Sequence, residues 1–518
     1  MADKPPYLTA PQKLTTMPPG IPYIVGNEAA ERFNFYGMRA ILVVFMTKYL
    51  MDRSGNLDPM SENEANKWYH LFLSMNYFVP LLGSIVSDAF WGKYKTIFWL
   101  SLVYCAGSVV LAFDHTRVGL TVGLTLIAIG SGGIKPCVSS HVGDQFGSDN
   151  QHLLSRAFGW FYFSVNFGSF FSILLIPWLL DKYGPMPAFG VPALLMLLAA
   201  FVFWLGRFKF AHIPPKRDPF QKDFLRALGL FACAAVVTAF WIKYASYQGW
   251  AFFNVRTLIG VLIIMPGVYW PLHRLLPRAP FTAECKEGWL VLGRLCVIYA
   301  FIAVFWSLWD QSGGEWVTQA EKMDLHFAGI TWLPAQIQAL NAIMILAFIP
   351  LFQYVIYPAI NKVYKLTLLR KIGLGLIVTG LSFFISAWIE TQIAAGLKPT
   401  IGWQIPAYAL LSAGEIMVSI TGLEFAYTQA PKAMKAMIQS IYLLAISAGN
   451  LLTALVHVFI ENPDGTIKWK GADYYTYFAY LCIGCVVLWI FVAKAYKERT
   501  YLQSEVPGEA AAETTANT

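Results

Sequence analysis

Long apolar runs separated by short polar or basic connections dominate the chain. They fall at 27–51, 68–90, 95–113, 118–139, 156–181, 188–209, 224–247, 250–273, 289–313, 333–358, 367–390, 402–424, 436–460 and 473–495. At 1.5 Å per residue, most can cross about 30 Å of hydrocarbon as a helix. The pattern predicts about fourteen transmembrane helices and an all-α polytopic membrane protein.

Composition sharpens this. Of 518 residues, 57% are hydrophobic, 16% aromatic and 13% charged, with a mean hydropathy of +0.52. A soluble chain carries about 25% charge, so several soluble domains are excluded, as is disorder. Seven cysteines are too sparse for a disulfide scaffold. The net charge of +8 resides in short loops between apolar runs and does not point to nucleic acid. Lys93, Lys95, Arg207, Lys209, Lys216, Arg217, Lys362, Lys365, Arg370 and Lys371 fall on one side. Acidic stretches such as Asp58 to Glu64 and Glu461 to Asp464 fall on the other. The bias predicts a multi-pass protein of the cell (inner) membrane with both termini cytoplasmic.

Fourteen spans divide as six, two and six. The expected organisation is a polar cytoplasmic segment at 1–22 and a six-helix bundle at 23–213. A basic linker with two extra helices follows at 214–286, then a second bundle at 287–499 and a disordered cytoplasmic tail at 500–518. Two six-helix bundles are the major facilitator plan. Gly83, Asp88, Gly92 and Lys93 in GSIVSDAFWGKYK resemble that superfamily's G-x-x-x-D-x-x-G-R/K loop.

Charges within spans are expensive, about 2.5–3.5 kcal/mol each at the bilayer centre, and mark pathways. In the first span Glu28, Arg32, Tyr36 and Arg39 advance by four, four and three, so they share a face, with Glu31 beside them. That stripe reads as the wall of a polar cavity. Lys135 sits in an apolar run among glycines and before Pro136, where the helix is expected to loosen. Asp310 lies near the end of its span, just before Gly313-Gly314, and Glu415 is deeper. His70 stands two turns from Tyr77 and is either packed or a proton carrier. His141, His152 and His457 lie near span ends and read as solvated. Cys482-x-x-Cys485 falls mid-span without a second ligand pair, so free thiols are expected and no metal site. No phosphate-binding loop, H-E-x-x-H or nucleophile elbow is present, which argues against ATP-driven transport and against an enzyme.

Five ordered motifs then resemble one family. Glu28-x-x-Glu31-Arg32-Phe33 resembles the E-x-x-E-R-F-x-Y-Y-G signature of proton-dependent oligopeptide transporters, with Phe35 in place of the first tyrosine. Gly130 to Pro136 resembles the family's G-x-G-x-x-K-P, and Phe161 to Ser169 its F-Y-x-x-I-N-x-G-S. Phe305 to Gln311 is similar to F-W-x-x-x-D/E-Q; Gly414-Glu415 and Gly422-Leu423-Glu424 resemble helix 10. Tyr442 departs from the family's usual tryptophan.

The resemblance implies proton-coupled symport of di- and tripeptides by alternating access, with the proton as coupling ion and no cofactor. It implies proton coupling through Glu28, Glu31, Arg32 and His70. It implies a peptide site of Arg39, Tyr36, Tyr77, Lys135, Asn166, Trp306, Asn341, Glu415 and Tyr442. Glu415 would face the peptide ammonium, and Lys135 with Arg39 its carboxylate. A gating salt bridge would join Asp310 to Lys135 or Arg39. Membrane lipid is the other expected partner. Two alternatives remain: a carrier of nitrate or another small anion within the same family, and a membrane receptor that binds peptides without moving them.

Overall fold

The computed structural model describes residues 7–215, 283–428, 435–462 and 464–496, with isolated positions between 226 and 271. The first bundle holds α1 (Ile21–Lys48), α2 (Glu62–Val86), α3 (Lys93–Phe113), α4 (Arg117–Gly143), α5 (Leu154–Tyr183) and α6 (Pro185–Leu205). The second begins with α7 (Ala283–Trp309) and the short α8 (Glu315–Ala320). A two-residue hairpin, β1 (His326–Phe327) with β2 (Ile330–Thr331), precedes α9 (Ala339–Leu351) and α10 (Tyr357–Asn361). Then come α11 (Leu368–Ala394), α12 (Gln404–Glu415), α13 (Thr421–Thr428), α14 (Lys435–Ile460) and α15 (Ala472–Ala495).

Among the described residues eleven helical spans are long and apolar enough to cross a membrane. α1 has the length, 28 residues, but its charged stripe keeps it out of that set; 16 of its residues are buried instead. With α1, twelve of the expected spans have their helices. Of the two expected at 224–247 and 250–273 only scattered positions are among the described residues, and 500–518 lie outside them. Both bundles belong to one compact unit, residues 1–87, 91–214 and 291–518; residues 88–90 and 215–290 form a second. Residues 7–20 pack against the first bundle: His212 N–H donates to the Leu8 carbonyl at 2.6 Å.

Helix 4 corrects one expectation. It runs unbroken through Pro136 to Gly143. Its glycines serve close packing rather than loosening: a Cβ on Gly83 of α2 would lie 2.5 Å from the Gly133 Cα of α4. The two backbones therefore touch, which brings Lys135 of α4 against Tyr77 of α2. Elsewhere the surface is apolar. Leu194 and Phe201 of α6 are 67% and 53% exposed, as a lipid-facing helix demands.

The bundles meet along α2 and α14 and again between α5 and α9. Five ion pairs cross between them: Arg39–Asp310, Lys48–Glu321, Lys67–Glu461, His70–Glu315 and Lys322–Glu62. All lie toward the end that carries the α1–α2 connection. Among the described residues, none joins the bundles at the opposite end.

Candidate functional site

The α1 stripe forms as its spacing requires. Arg32 Nε lies 2.7 Å from Glu28 Oε1 and 3.2 Å from Glu31 Oε2. Ser131 of α4 donates to Glu31 Oε1 at 2.8 Å. Both carboxylates are almost wholly buried, which makes their charge tolerable only while Arg32 and Ser131 stay in place.

One turn further, Lys135 Nζ stands 3.8 Å from the Phe35 ring centre and 4.7 Å from that of Tyr77. No acceptor among the described residues lies within hydrogen-bond distance of it. Two aromatic faces thus hold the ammonium in place of a carboxylate. The phenyl of Phe35, the residue that departs from the family signature, supplies one of them.

The expected Lys135–Asp310 bridge is not formed in this structure. Asp310 pairs instead with Arg39, whose Nη2 donates to Oδ1 at 2.7 Å while its Nε donates to the Tyr69 hydroxyl at 2.7 Å. Asn450 Nδ2 donates to the other oxygen, Oδ2, at 2.6 Å. The planar guanidinium fits this fork, and with both carboxylate oxygens taken Asp310 needs no second cation. Tyr69 gave no signal in the sequence beyond its place beside His70.

A cavity of about 240 Å³ opens between the bundles. Tyr36, Tyr162, Asn166 and Ser169 line it from the first bundle; Trp309, Gln338, Asn341 and Glu415 line it from the second. Glu415 Oε2 accepts from Trp309 Nε1 at 2.8 Å and from Asn341 Nδ2 at 2.9 Å. The helix widens by one residue per turn over Ile416–Ile420, directly after this acid, a distortion common at functional sites. Arg39 lies 5.0 Å from the Trp309 ring centre. Trp309 therefore touches both the guanidinium of the Arg39–Asp310 pair and the Glu415 carboxylate.

Of the expected peptide-site residues, Tyr36, Asn166, Asn341 and Glu415 are brought together here. Trp306 and Tyr442 are not. Trp306 packs edge-on against Trp309, 5.3 Å between centres, and it is Trp309, one turn on, that reaches the cavity. Tyr442 is buried behind Gly422, donating its hydroxyl to the Ser419 carbonyl at 3.2 Å. Tyr77 lies under Lys135, and both of them, like Arg39, are outside the cavity lining. Three-residue spacing on a helix cannot say which of two tryptophans faces inward until the neighbours are placed.

The histidines bring a second correction. Of the three histidines expected to be solvated, His141 and His457 are buried and His152 is exposed. His457 Nε2 is 2.7 Å from Glu315 Oε1, and His70 Nε2 is 3.1 Å from the same oxygen. These donor atoms all lie within 4.8 Å of one another. They do not fit a shared zinc ion as placed: ligands about 2.1 Å from a tetrahedral metal stand roughly 3.4 Å apart, and 2.7 Å is a hydrogen bond. Cys482 and Cys485 are free thiols, Cys482 donating to the Leu376 carbonyl.

A membrane protein of two six-helix bundles, with a charged cavity between them, is the class that fold and site define. The POT family's sequence model matches residues 94–473. Peptide transporter family 1 of Drosophila melanogaster is 35% identical over 393 residues, 73% of this chain and 48% of that protein. The chain spans about half the length of the curated relatives it matches. Among solved structures, the POT family transporter PepTSo is 37% identical with a TM-score of 0.79, covering 93% of this chain and 99% of that one. An auto-inhibited POT family peptide transporter is 35% identical with a TM-score of 0.80, covering 94% and 99%. The chain belongs to the POT, or proton-dependent oligopeptide transporter, family.

Proposed function

We propose that the protein carries di- and tripeptides into the cell together with protons, by alternating access across the cell membrane. The carrying observation is the polarity of the central site. One wall of the cavity presents the Glu415 carboxylate, and the opposite bundle holds Lys135, outside the cavity lining, without a hydrogen-bond acceptor among the described residues. A zwitterionic peptide needs an anion for its ammonium and a cation for its carboxylate. Glu415 takes the first role, Lys135 with Arg39 the second, and Asn166 and Asn341 hold the backbone. The named peptide transporters among the relatives support this substrate class.

Protons act through the Glu28–Glu31–Arg32 cluster and His70. Protonating either glutamate releases Arg32 and shifts the balance between the two bundles. Each proton moving down the membrane potential contributes about 2.3 kcal/mol per 100 mV. With basic loops inside, the end joined by the five ion pairs faces outward, so this state is closed to the exterior. Lipid surrounds the apolar outer faces.

Uptake of labelled dialanine into liposomes, with and without an imposed inward proton gradient, tests the reading. Accumulation only under the gradient supports it. Accumulation of nitrate in place of dialanine, or binding without accumulation, would overturn it.

A further inference from the structure

Three titratable side chains away from the central cavity meet where α2, α8 and α14 come together: His70, Glu315 and His457. The hydrogen bonds around them fix where their protons are. Asn450 Nδ2 donates to Asp310 Oδ2 and to the Ile446 carbonyl, so its Oδ1 is the acceptor facing His70 Nδ1 at 2.8 Å. Asn63 Nδ2 likewise donates to Glu461 Oε2, so its Oδ1 is the acceptor facing His457 Nδ1 at 2.7 Å. Each imidazole therefore carries a proton on Nδ1.

That leaves both Nε2 atoms facing the Glu315 carboxylate, at 3.1 and 2.7 Å. With neutral imidazoles and an ionised acid, each contact sets a nitrogen lone pair against an oxygen lone pair. Each needs one proton to become a hydrogen bond. Relative to that state, the cluster as observed holds two protons: one on each Nε2, or one on an Nε2 and one on the carboxylate.

The neighbouring charges do not supply this. The Tyr474 hydroxyl, 3.1 Å from Glu315 Oε1 and 3.3 Å from His457 Nε2, is one donor for two acceptors. Tyr475 donates to the Glu315 carbonyl, not its carboxylate. Asp310, facing from the α7 end, is already taken by Arg39 and Asn450. Lys67 is paired with Glu461 beyond Asn63, and Lys322 with Glu62. Arg39 is directed to Asp310 and Tyr69.

Access is visible. A second cavity of about 240 Å³ is lined by Glu315, His457 and Tyr474, with Glu62, Lys322 and Glu390. It lies at the end of the bundles that carries the five crossing ion pairs. From His70 the hydrogen bonds continue through Asn450 and Asp310 to Arg39, which stands against Trp309 of the central cavity.

We infer that Glu315 and His457, together with His70, form a second proton-binding site, separate from Glu28 and Glu31, loaded with two protons through this outer cavity and holding the bundles together only while loaded. His70 belongs to the first bundle and the other two to the second, so the protons are the bond between them. When they leave, the lone pairs and the carboxylate repel across the same contacts and α2 parts from α8 and α14. The inference rests on the proton-coupled reading above.

The test measures closure directly. Spin labels on unnatural amino acids at positions 56 and 398, exposed on loops of the two bundles, report the separation at this end in the reconstituted full chain. In the wild type the closed-to-open ratio rises by up to about a hundredfold per unit fall in pH, the slope of a two-proton transition. In Glu315→Gln and, separately, His457→Gln it rises about tenfold or less. Wild-type slopes in both variants overturn the inference while leaving peptide transport intact. A wild type with neither a pH response nor proton-driven uptake overturns the coupling reading itself and this inference with it. Loss of the wild-type response on adding a metal chelator would assign the cluster to a metal and overturn it as well.

Discussion

Arg39 and Asp310 meet at 2.7 Å across the seam between the two bundles, 3% and 0% exposed. The pair joins α1 to the turn that follows α7, and its strength depends on both ends being satisfied at once. Tyr69 and Asn450 complete the fork on each side. A buried pair of this kind contributes little net stability over an apolar pair, but removing one partner strands the other.

Asp310→Asn is therefore expected to lower stability by about 3–5 kcal/mol, the usual result of leaving a buried charge unpaired. Uptake should fall with it. Arg39→Lys should also lose transport, because an ammonium cannot serve Tyr69 and Asp310 in one plane. Thermal unfolding in detergent together with dialanine uptake checks both; full activity in Arg39→Lys would refute the fork.

Lys135 should behave in the opposite way. Its ammonium rests on Phe35 and Tyr77 with no acceptor, so the fold gains little from the charge. Lys135→Met, of similar shape, is expected to raise the unfolding temperature and to abolish uptake. Unfolding scans and transport assays on the same preparation separate the two effects. A less stable but active protein would show that the lysine is structural.

Glu415 should discriminate peptides by their amino terminus. A charge-assisted hydrogen bond contributes about 1.5–3 kcal/mol, so Glu415→Gln should raise KM for free dipeptides by roughly 10- to 100-fold. N-acetylated peptides, which have no ammonium, should be nearly unaffected. Equal losses for both would remove the assigned role.

The stripe on α1 predicts a pH dependence. Uptake should increase as external pH falls, because a proton on Glu28 or Glu31 frees Arg32. The double variant Glu28→Gln, Glu31→Gln should lose concentrative uptake and its pH response. Counterflow, which moves no net proton, should persist. Accumulation against a gradient by the double variant would place the coupling elsewhere.

Much of the architecture is legible in the sequence because the bilayer imposes a one-dimensional rule. A helix must bury its own backbone polar groups over about 30 Å, so apolar runs report helices directly. The expected span 473–495 is the helix Ala472–Ala495, and 95–113 is Lys93–Phe113. The Glu28–Arg32 contact was also readable, since four-residue spacing places both on one face. Glu415 stood out because an acid at depth has few innocent reasons to be there.

Contacts between helices obey no such rule. Whether Asp310 pairs with Arg39 or Lys135 depends on the rotation of α1, α4 and α7 about their axes. The glycine contact of Gly83 with Gly133 helps set it, by letting α2 and α4 approach until Lys135 lies on Tyr77. His457, near the end of its span, looked solvated because depth along one helix says nothing of what covers it. α2 and α8 cover it, with Glu315 directly after a glycine pair, Gly313-Gly314, that closes against Tyr69 and Asn66. The sequence by itself determined which segments cross the membrane and which charges they carry. Tertiary packing alone decided which of those charges meet, because hydrogen-bond geometry is set to tenths of an ångström by side chains hundreds of residues apart.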